Sequence, residues 1–196
     1  DNGVVEEGVA SAPQSVTLQQ TINLTRAKTG ASVLAKHFGN FITVCDVGVN
    51  ADIKEPAVLN RKIAYGTNNV AKGPAMTRSD AEKAILIGAQ LVADTDSDIY
   101  GIGEMGIGNT TTSSAVLSVI LGADIDAVTG RGGGITDDSF AKKKAVIKQA
   151  IEINKPDKND VIDVLCKVGG FDIAAMCGAF LGCDANSQPA VIAGFI

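Results

Sequence analysis

Apolar residues recur at helical spacing along much of the chain and gather elsewhere into short β-branched runs. Ser15-Val16-Thr17 opens the first helical stretch, with Leu18, Ile22 and Leu24 on its apolar side and Lys28-Thr29-Gly30 as its stop signal. A second helix is predicted over about Ala31–Phe38, ending at Gly39-Asn40, and the run Phe41–Val49 after it reads as a buried strand. Ser79 with Glu82 makes a capping box for an amphipathic helix that packs through Ala84, Ile85, Gly88, Ala89, Leu91 and Val92. A further strand is predicted at Asp98–Gly103 and a helix at Ala115–Leu121, closed by Gly122. Thr136, Asp137 and Asp138 start a helix running to about Ile153, which Asn154-Lys155-Pro156 breaks. Asp160–Lys167 and Phe171–Gly182 give two more helices, the second rich in small residues. Asp1–Pro13 reads as a loop, Asn50–Ser79 as a long connection with at most short helical turns, and Pro189–Ile196 as a buried strand. Strands alternating with helices are the rhythm of an α/β fold.

Composition sharpens that picture. The length of 196 residues suits one domain. With 45% hydrophobic and 20% charged residues the chain is neither disordered nor fibrous. Trp is absent and aromatics are 4%, so the core must rely on Val, Ile, Leu and Ala, as in a parallel sheet covered by helices. A net charge of -5 argues against a nucleic-acid groove and leaves a small-molecule site open. No apolar run is long enough for a membrane span and no signal peptide is visible, so a cytoplasmic protein is expected. Cys45, Cys166, Cys177 and Cys183 follow no CxxC spacing and read as reduced core thiols, not as zinc ligands or disulfides. The chain opens on Asp1 without Met and closes on an apolar run, which suggests a single α/β core domain over residues 1–196 belonging to a longer enzyme.

The strongest chemical signal is the junction Gly101-Ile-Gly-Glu104-Met-Gly106-Ile-Gly108-Asn109-Thr110-Thr111. Glycines let the backbone approach a ligand closely, and the helix that follows offers unpaired N–H groups and a partial positive charge, so an anion is the natural guest. Asn109, Thr110 and Thr111 either bind phosphate oxygens or only cap the helix. Gly101-x-Gly103-x-x-Gly106 formally matches the dinucleotide fingerprint, but no strand-end acid follows at the required distance, and no Lys completes a Walker loop. Glu104, beside an anion site, suits sugar hydroxyls or a charged ring nitrogen better than the anion itself. The loop Gly130-Arg131-Gly132-Gly133-Gly134 is either a second backbone cradle with Arg131 as phosphate clamp or a flexible connector. Lys142, Lys143 and Lys144 point to three helix faces, so at most one or two reach a shared site. His37 is the only histidine and lies in no motif, and the nucleophile elbow is absent, so hydrolase chemistry is disfavoured.

The string Gly103-Glu-Met-Gly-Ile-Gly-Asn-Thr-Thr111 resembles the signature of the nicotinate-nucleotide:dimethylbenzimidazole phosphoribosyltransferase family. Further segments resemble it in the right order: Asp1–Val9, Pro13–Thr17, Val44–Val49, Gly130-Arg131-Gly132, Lys143 and Gly169-Gly-Phe-Asp-Ile173. The resemblance covers essentially the whole chain and implies a doubly wound, mainly parallel, Rossmann-like sheet with helices on both faces. A smaller helical domain, drawn from both ends of the family's longer chains, would be mostly missing. It also implies a homodimer, no cofactor or metal, and transfer of phosphoribose from nicotinate mononucleotide to dimethylbenzimidazole in cobalamin lower-ligand assembly.

By the same resemblance Glu104 would contact the ribose or base region. Gly106, Gly108, Asn109, Thr110 and Thr111 would bracket the phosphate, with Lys143 adding charge and Gly132 and Gly133 lining the pocket. Ser11 and Gln19 would lie at the benzimidazole pocket, where Ala12 replaces a larger, often aromatic, residue. The family's general base is a glutamate in a Glu-Gly-Thr-Gly context that these 196 residues do not contain. Poor turnover by the chain alone is therefore expected, and the alternative reading is a non-catalytic nucleotide-binding module.

Overall fold

The computed structural model of the chain describes residues 1–192 and 194–196. Its elements, in chain order, are a 3₁₀ turn (Gly3–Glu7), α1 (Ser15–Thr25), α2 (Gly30–Phe38), β1 (Val44–Asp46), β2 (Val58–Asn60), α3 (Arg78–Ala93), β3 (Tyr100–Gly101), α4 (Asn109–Leu121), α5 (Ile125–Val128), α6 (Asp137–Asn154), α7 (Val161–Val168), α8 (Phe171–Ala185) and β4 (Ala190–Val191). The mix is α/β and mostly helical. Both strand pairs are parallel: β1 on β2 with Val44 opposite Val58, and β3 on β4 with Tyr100 opposite Ala190.

Several expectations need correction. Among the described residues the strands form two separate two-stranded sheets and no continuous doubly wound one. The run Phe41–Val49 keeps strand geometry only over Val44–Asp46, because Phe41 and Ile42 stay exposed and Asp46 bends the chain by accepting the backbone N–H groups of Gly48 and Val49. The strand predicted at Asp98–Gly103 is reduced to two residues for want of a longer partner. In the long connection the exposed pair Leu59-Asn60 hides β2, which burial identifies only at Val58. The expected terminal strand over Pro189–Ile196 holds at Ala190–Val191, and Ala193 lies outside the described residues.

Helix starts follow local chemistry. α3 begins one residue earlier than its expected cap: the Thr77 hydroxyl accepts from the backbone N–H of Asp80 while Asp80 accepts from that of Thr77. Thr-x-x-Asp thus prevails over Ser79-x-x-Glu82, and Arg78 is placed to pair with Asp160 at 2.6 Å. Thr136 caps α6, opening it where expected, and Asp160, expected as the first residue of its helix, is the cap of α7. α4 starts at Asn109, six residues before the predicted Ala115, because Gly108 turns the chain into it with φ 96°.

The core is small-residue and aliphatic, with Val4, Val70, Ala81, Ala84, Ile147, Val164, Val168 and Ala174 inside and Phe171 its buried aromatic. α3 and α8 press together through glycine: a Cβ on Gly88 would fall 1.8 Å from the Ala175 carbonyl oxygen, and one on Gly178 1.8 Å from that of Ile85. This contact anchors the first turn of α8, and with it Asp172, beneath the glycine junction.

Candidate active site

The first stretch, expected to be a loop, is the floor of the site. Asn2 is fully buried, donates to Asp172 Oδ2 at 3.2 Å and lies 3.4 Å from the hydroxyl of Thr112 in α4. Thr17 of α1, also fully buried, accepts from the backbone N–H of Ile107 at 3.1 Å and donates to Asp1. Residues from both ends of the sequence thus fix the turn that leads into α4. The turn needs its glycines: a Cβ at Gly106 would lie 2.5 Å from Asp172 Oδ2, and one at Gly108, at positive φ, 2.8 Å from Val5.

α4 begins without a side-chain cap, and its first two residues reach opposite partners. Asn109 donates through its amide to Glu104. Thr110 accepts from the Lys143 ammonium at 2.8 Å, and that ammonium also donates to the Gly130 carbonyl at 2.9 Å. Lys143 is completely buried, and among the described residues no carboxylate forms an ion pair with it. Burial pulls its pKa down to about 8, so it is still mainly protonated at neutral pH. Of its three N–H donors one has no acceptor among the described residues.

Glu104 carries the opposite anomaly. Burial, and then the charge of Asp172, push its pKa up to about 7 against the hydrogen bonds from Asn109 and the Gly106 backbone, which lower it. Neutral pH therefore finds it near half protonation. Thr111, the third residue of α4, is buried with its hydroxyl unpartnered among the described residues. The glycine loop closes over these residues: a Cβ at Gly132 would lie 2.8 Å from Thr110 Oγ1 and 3.6 Å from Lys143 Nζ, and one at Gly133 2.4 Å from Ser11 Oγ.

Glu104, Gly106, Gly108, Asn109, Thr110, Thr111, Gly132, Gly133, Lys143 and Ser11 are thereby brought to one place. Gln19 is exposed on α1 and makes no side-chain hydrogen bond to them. Arg131 is not free to clamp an anion, because it is held by Asp137, the Ile135 carbonyl and the Phe140 ring at 4.7 Å. His37 is exposed against Phe38. All four thiols are free; Cys166 and Cys183 are buried, Cys45 and Cys177 half-buried, and burial raises the pKa of each. No group of three or more potential ligands that could hold a metal is found among the described residues. A cleft of about 490 Å³ near Asp124, Asp126 and Lys144 lies at the other end of α4, where Lys144 is already paired with Asp126 at 2.8 Å.

Asn2, Thr17 and Asp172 escaped the sequence reading as site residues. Two of them sit in segments whose pattern is informative, but a contact spanning 170 residues leaves no local signal.

A buried ammonium that no carboxylate pairs among the described residues stands beside an uncapped helix start and under glycine turns, an arrangement that suits an anion in an α/β protein. The chain belongs to the phosphoribosyltransferase family, whose sequence profile matches residues 1–196. It is 51% identical, over its whole length, to the nicotinate-nucleotide–dimethylbenzimidazole phosphoribosyltransferase of Clostridium tetani, of which it covers 55%. The enzyme of the same name from Ruminiclostridium cellulolyticum is 54% identical and 56% covered. The crystal structure of CobT from Thermus thermophilus superposes with a TM-score of 0.94 at 34% identity, covering all of this chain and 60% of that one. The chain thus spans a little over half the length of these relatives.

Proposed function

We propose that this chain is the nucleotide-binding core of an enzyme that transfers phosphoribose from nicotinate mononucleotide to dimethylbenzimidazole, releasing nicotinate and forming α-ribazole phosphate. The observation that carries the reading is Lys143: a buried ammonium that no carboxylate pairs among the described residues, bonded to the first turn of α4 through Thr110. An isolated buried charge costs several kcal/mol, and an arriving phosphate offsets that cost. Two unit charges 4 Å apart gain about 4 kcal/mol at an effective dielectric of about 20.

The phosphate sits against Lys143, Thr110 and the glycine loop, which leaves the ribose and its pyridinium ring towards Glu104. The C1′–N bond to nicotinate breaks with its electron pair going to the ring nitrogen, while a benzimidazole nitrogen forms the new bond from the opposite face. The positive charge that builds on the ribose faces Glu104 and Asp172, and most of the remaining work is alignment. The azole proton passes to a base, for which the family resemblance points to a glutamate outside these residues.

The two parallel strand pairs belong, in this reading, to one doubly wound sheet in the whole protein, of which residues 1–196 form a single core domain. The exposed apolar side chains Val33, Leu34, Phe38 and Phe41 on and after α2 support a homodimer. Four free thiols, and no described helix long and apolar enough to cross a membrane, favour a cytoplasmic setting. The test is incubation with nicotinate mononucleotide and dimethylbenzimidazole, with chromatography of the products. Release of nicotinate with matching α-ribazole phosphate is expected from the full-length protein, and absence of both from a protein that binds the nucleotide supports a binding module instead.

A further inference from the structure

We propose that Arg131 is a positioning residue: tied to Asp137 and laid on the Phe140 ring, it presets the glycine loop over residues 130–134 against Lys143 and Thr110 as a backbone cradle for phosphate. The proposal rests on the substrate reading above.

The loop has little of its own to hold it. Four of its five residues are glycine, and Gly132 and Gly134 stand at φ 56° and 91°, where a side chain would be strained. Such a backbone gives up more conformational freedom on ordering than any other. It is nevertheless closely seated. The Gly130 carbonyl accepts from the Lys143 ammonium at 2.9 Å, and a Cβ at Gly132 would lie 2.8 Å from Thr110 Oγ1.

Arg131 is the single side chain in the loop, and it supplies the missing restraint. Its guanidinium donates to the Ile135 carbonyl at 3.1 Å, bridging the loop to its far end, while its own carbonyl accepts from the backbone N–H of Gly134 at 3.3 Å. The same guanidinium pairs with Asp137 and lies 4.7 Å from the centre of the Phe140 ring. Asp137 and Phe140 belong to the first turn of α6, the helix that carries Lys143 on its next turn. Phe140 is held in its turn, because Lys144 approaches its ring to 4.5 Å and pairs with Asp126 at 2.8 Å. Loop and lysine are thereby fixed to one helix, and their spacing is set before a ligand arrives. A planar guanidinium suits this task, since it bonds a carbonyl and a carboxylate while stacking on an aromatic face.

The sign of one substitution separates such a latch from a phosphate clamp. Removing Asp137 frees a clamp and tightens the ligand, whereas it loosens a latch. The test compares the affinities of the full-length protein for nicotinate mononucleotide and for its dephosphorylated nucleoside. Arg131→Met and Phe140→Leu should each weaken the nucleotide about tenfold, the cost of re-fixing roughly one loop residue on binding, and leave the nucleoside unchanged. Asp137→Asn should weaken it about threefold, the scale of an exposed ion pair. Phe140→Tyr, which keeps the aromatic face, should bind as wild type does.

Tighter nucleotide binding by Asp137→Asn or Phe140→Leu makes Arg131 a direct clamp and overturns the proposal. Equal loss for nucleotide and nucleoside, the mark of a general folding defect, overturns it too. Amide hydrogen exchange of the ligand-free proteins keeps these outcomes apart from a failure of the substrate reading. Phe140→Leu should speed exchange at residues 131–135 without a general increase, and unchanged exchange there contradicts the proposal whatever the nucleotide does. A wild type that binds nucleotide no better than nucleoside, with the loop loosened as expected in the variant, removes the substrate reading and the cradle with it.

Discussion

At the scale of single residues the site is organised by two groups held away from their ordinary protonation behaviour in opposite senses. Lys143 is pulled down to about 8 and Glu104 pushed up to about 7, each mainly by burial. The linkage has a definite sign. A lysine whose folded pKa is depressed contributes fully only above its unfolded value, and that contribution is lost as pH falls through about 8. Wild-type stability should therefore rise relative to Lys143→Met between about pH 7 and about pH 10, by about 1–3 kcal/mol. Urea unfolding at several pH values measures this, and a constant difference between the two proteins rules out a buried charged lysine. Lys143 was legible in the sequence only through the family resemblance, because periodicity gives three adjacent lysines three faces without saying which is inside. Asp172 and Asn2 were not legible as site residues at all, since their roles arise from one long-range contact.

At the scale of elements, helix ends were far easier to read than strands. Caps such as Thr136 and Asp160 act on backbone N–H groups two or three residues away, so sequence contains both partners. Strands of two or three residues depend on a partner many residues distant, and the pairs Val44 with Val58 and Tyr100 with Ala190 leave almost no local pattern. The small-residue spacing of α3 and α8 was visible, but its purpose is not: it lets two backbones meet. A methyl group on Gly178 would lie 1.8 Å from the Ile85 carbonyl oxygen, so the helices must separate. Gly178→Ala should cost about 3 kcal/mol and lower the midpoint of thermal unfolding by roughly 6–12 °C. Calorimetry checks this, and a shift under a few degrees means that the two helices are not in backbone contact. Because α8 carries Asp172, the same variant should also weaken nucleotide binding.

At the scale of the whole molecule, two parallel strand pairs and eight helices among the described residues set one glycine turn, one glycine loop and one buried lysine around a common point. The α/β class and parallel pairing followed from strand–helix alternation and an aliphatic, Trp-free composition. The described residues hold two separate strand pairs and not a continuous sheet, and the relatives' chains are nearly twice this length. The central claim is that Lys143 and the start of α4 hold a nucleotide phosphate. The most direct measurement compares the affinity of the protein for nicotinate mononucleotide with that for the dephosphorylated nucleoside, in wild type and in Lys143→Met. Wild type should prefer the nucleotide by about a hundredfold or more, from the charge interaction between ammonium and phosphate, and the variant should lose most of that preference while binding the nucleoside unchanged. A Lys143→Met variant that keeps the full preference for the phosphorylated ligand would contradict the account.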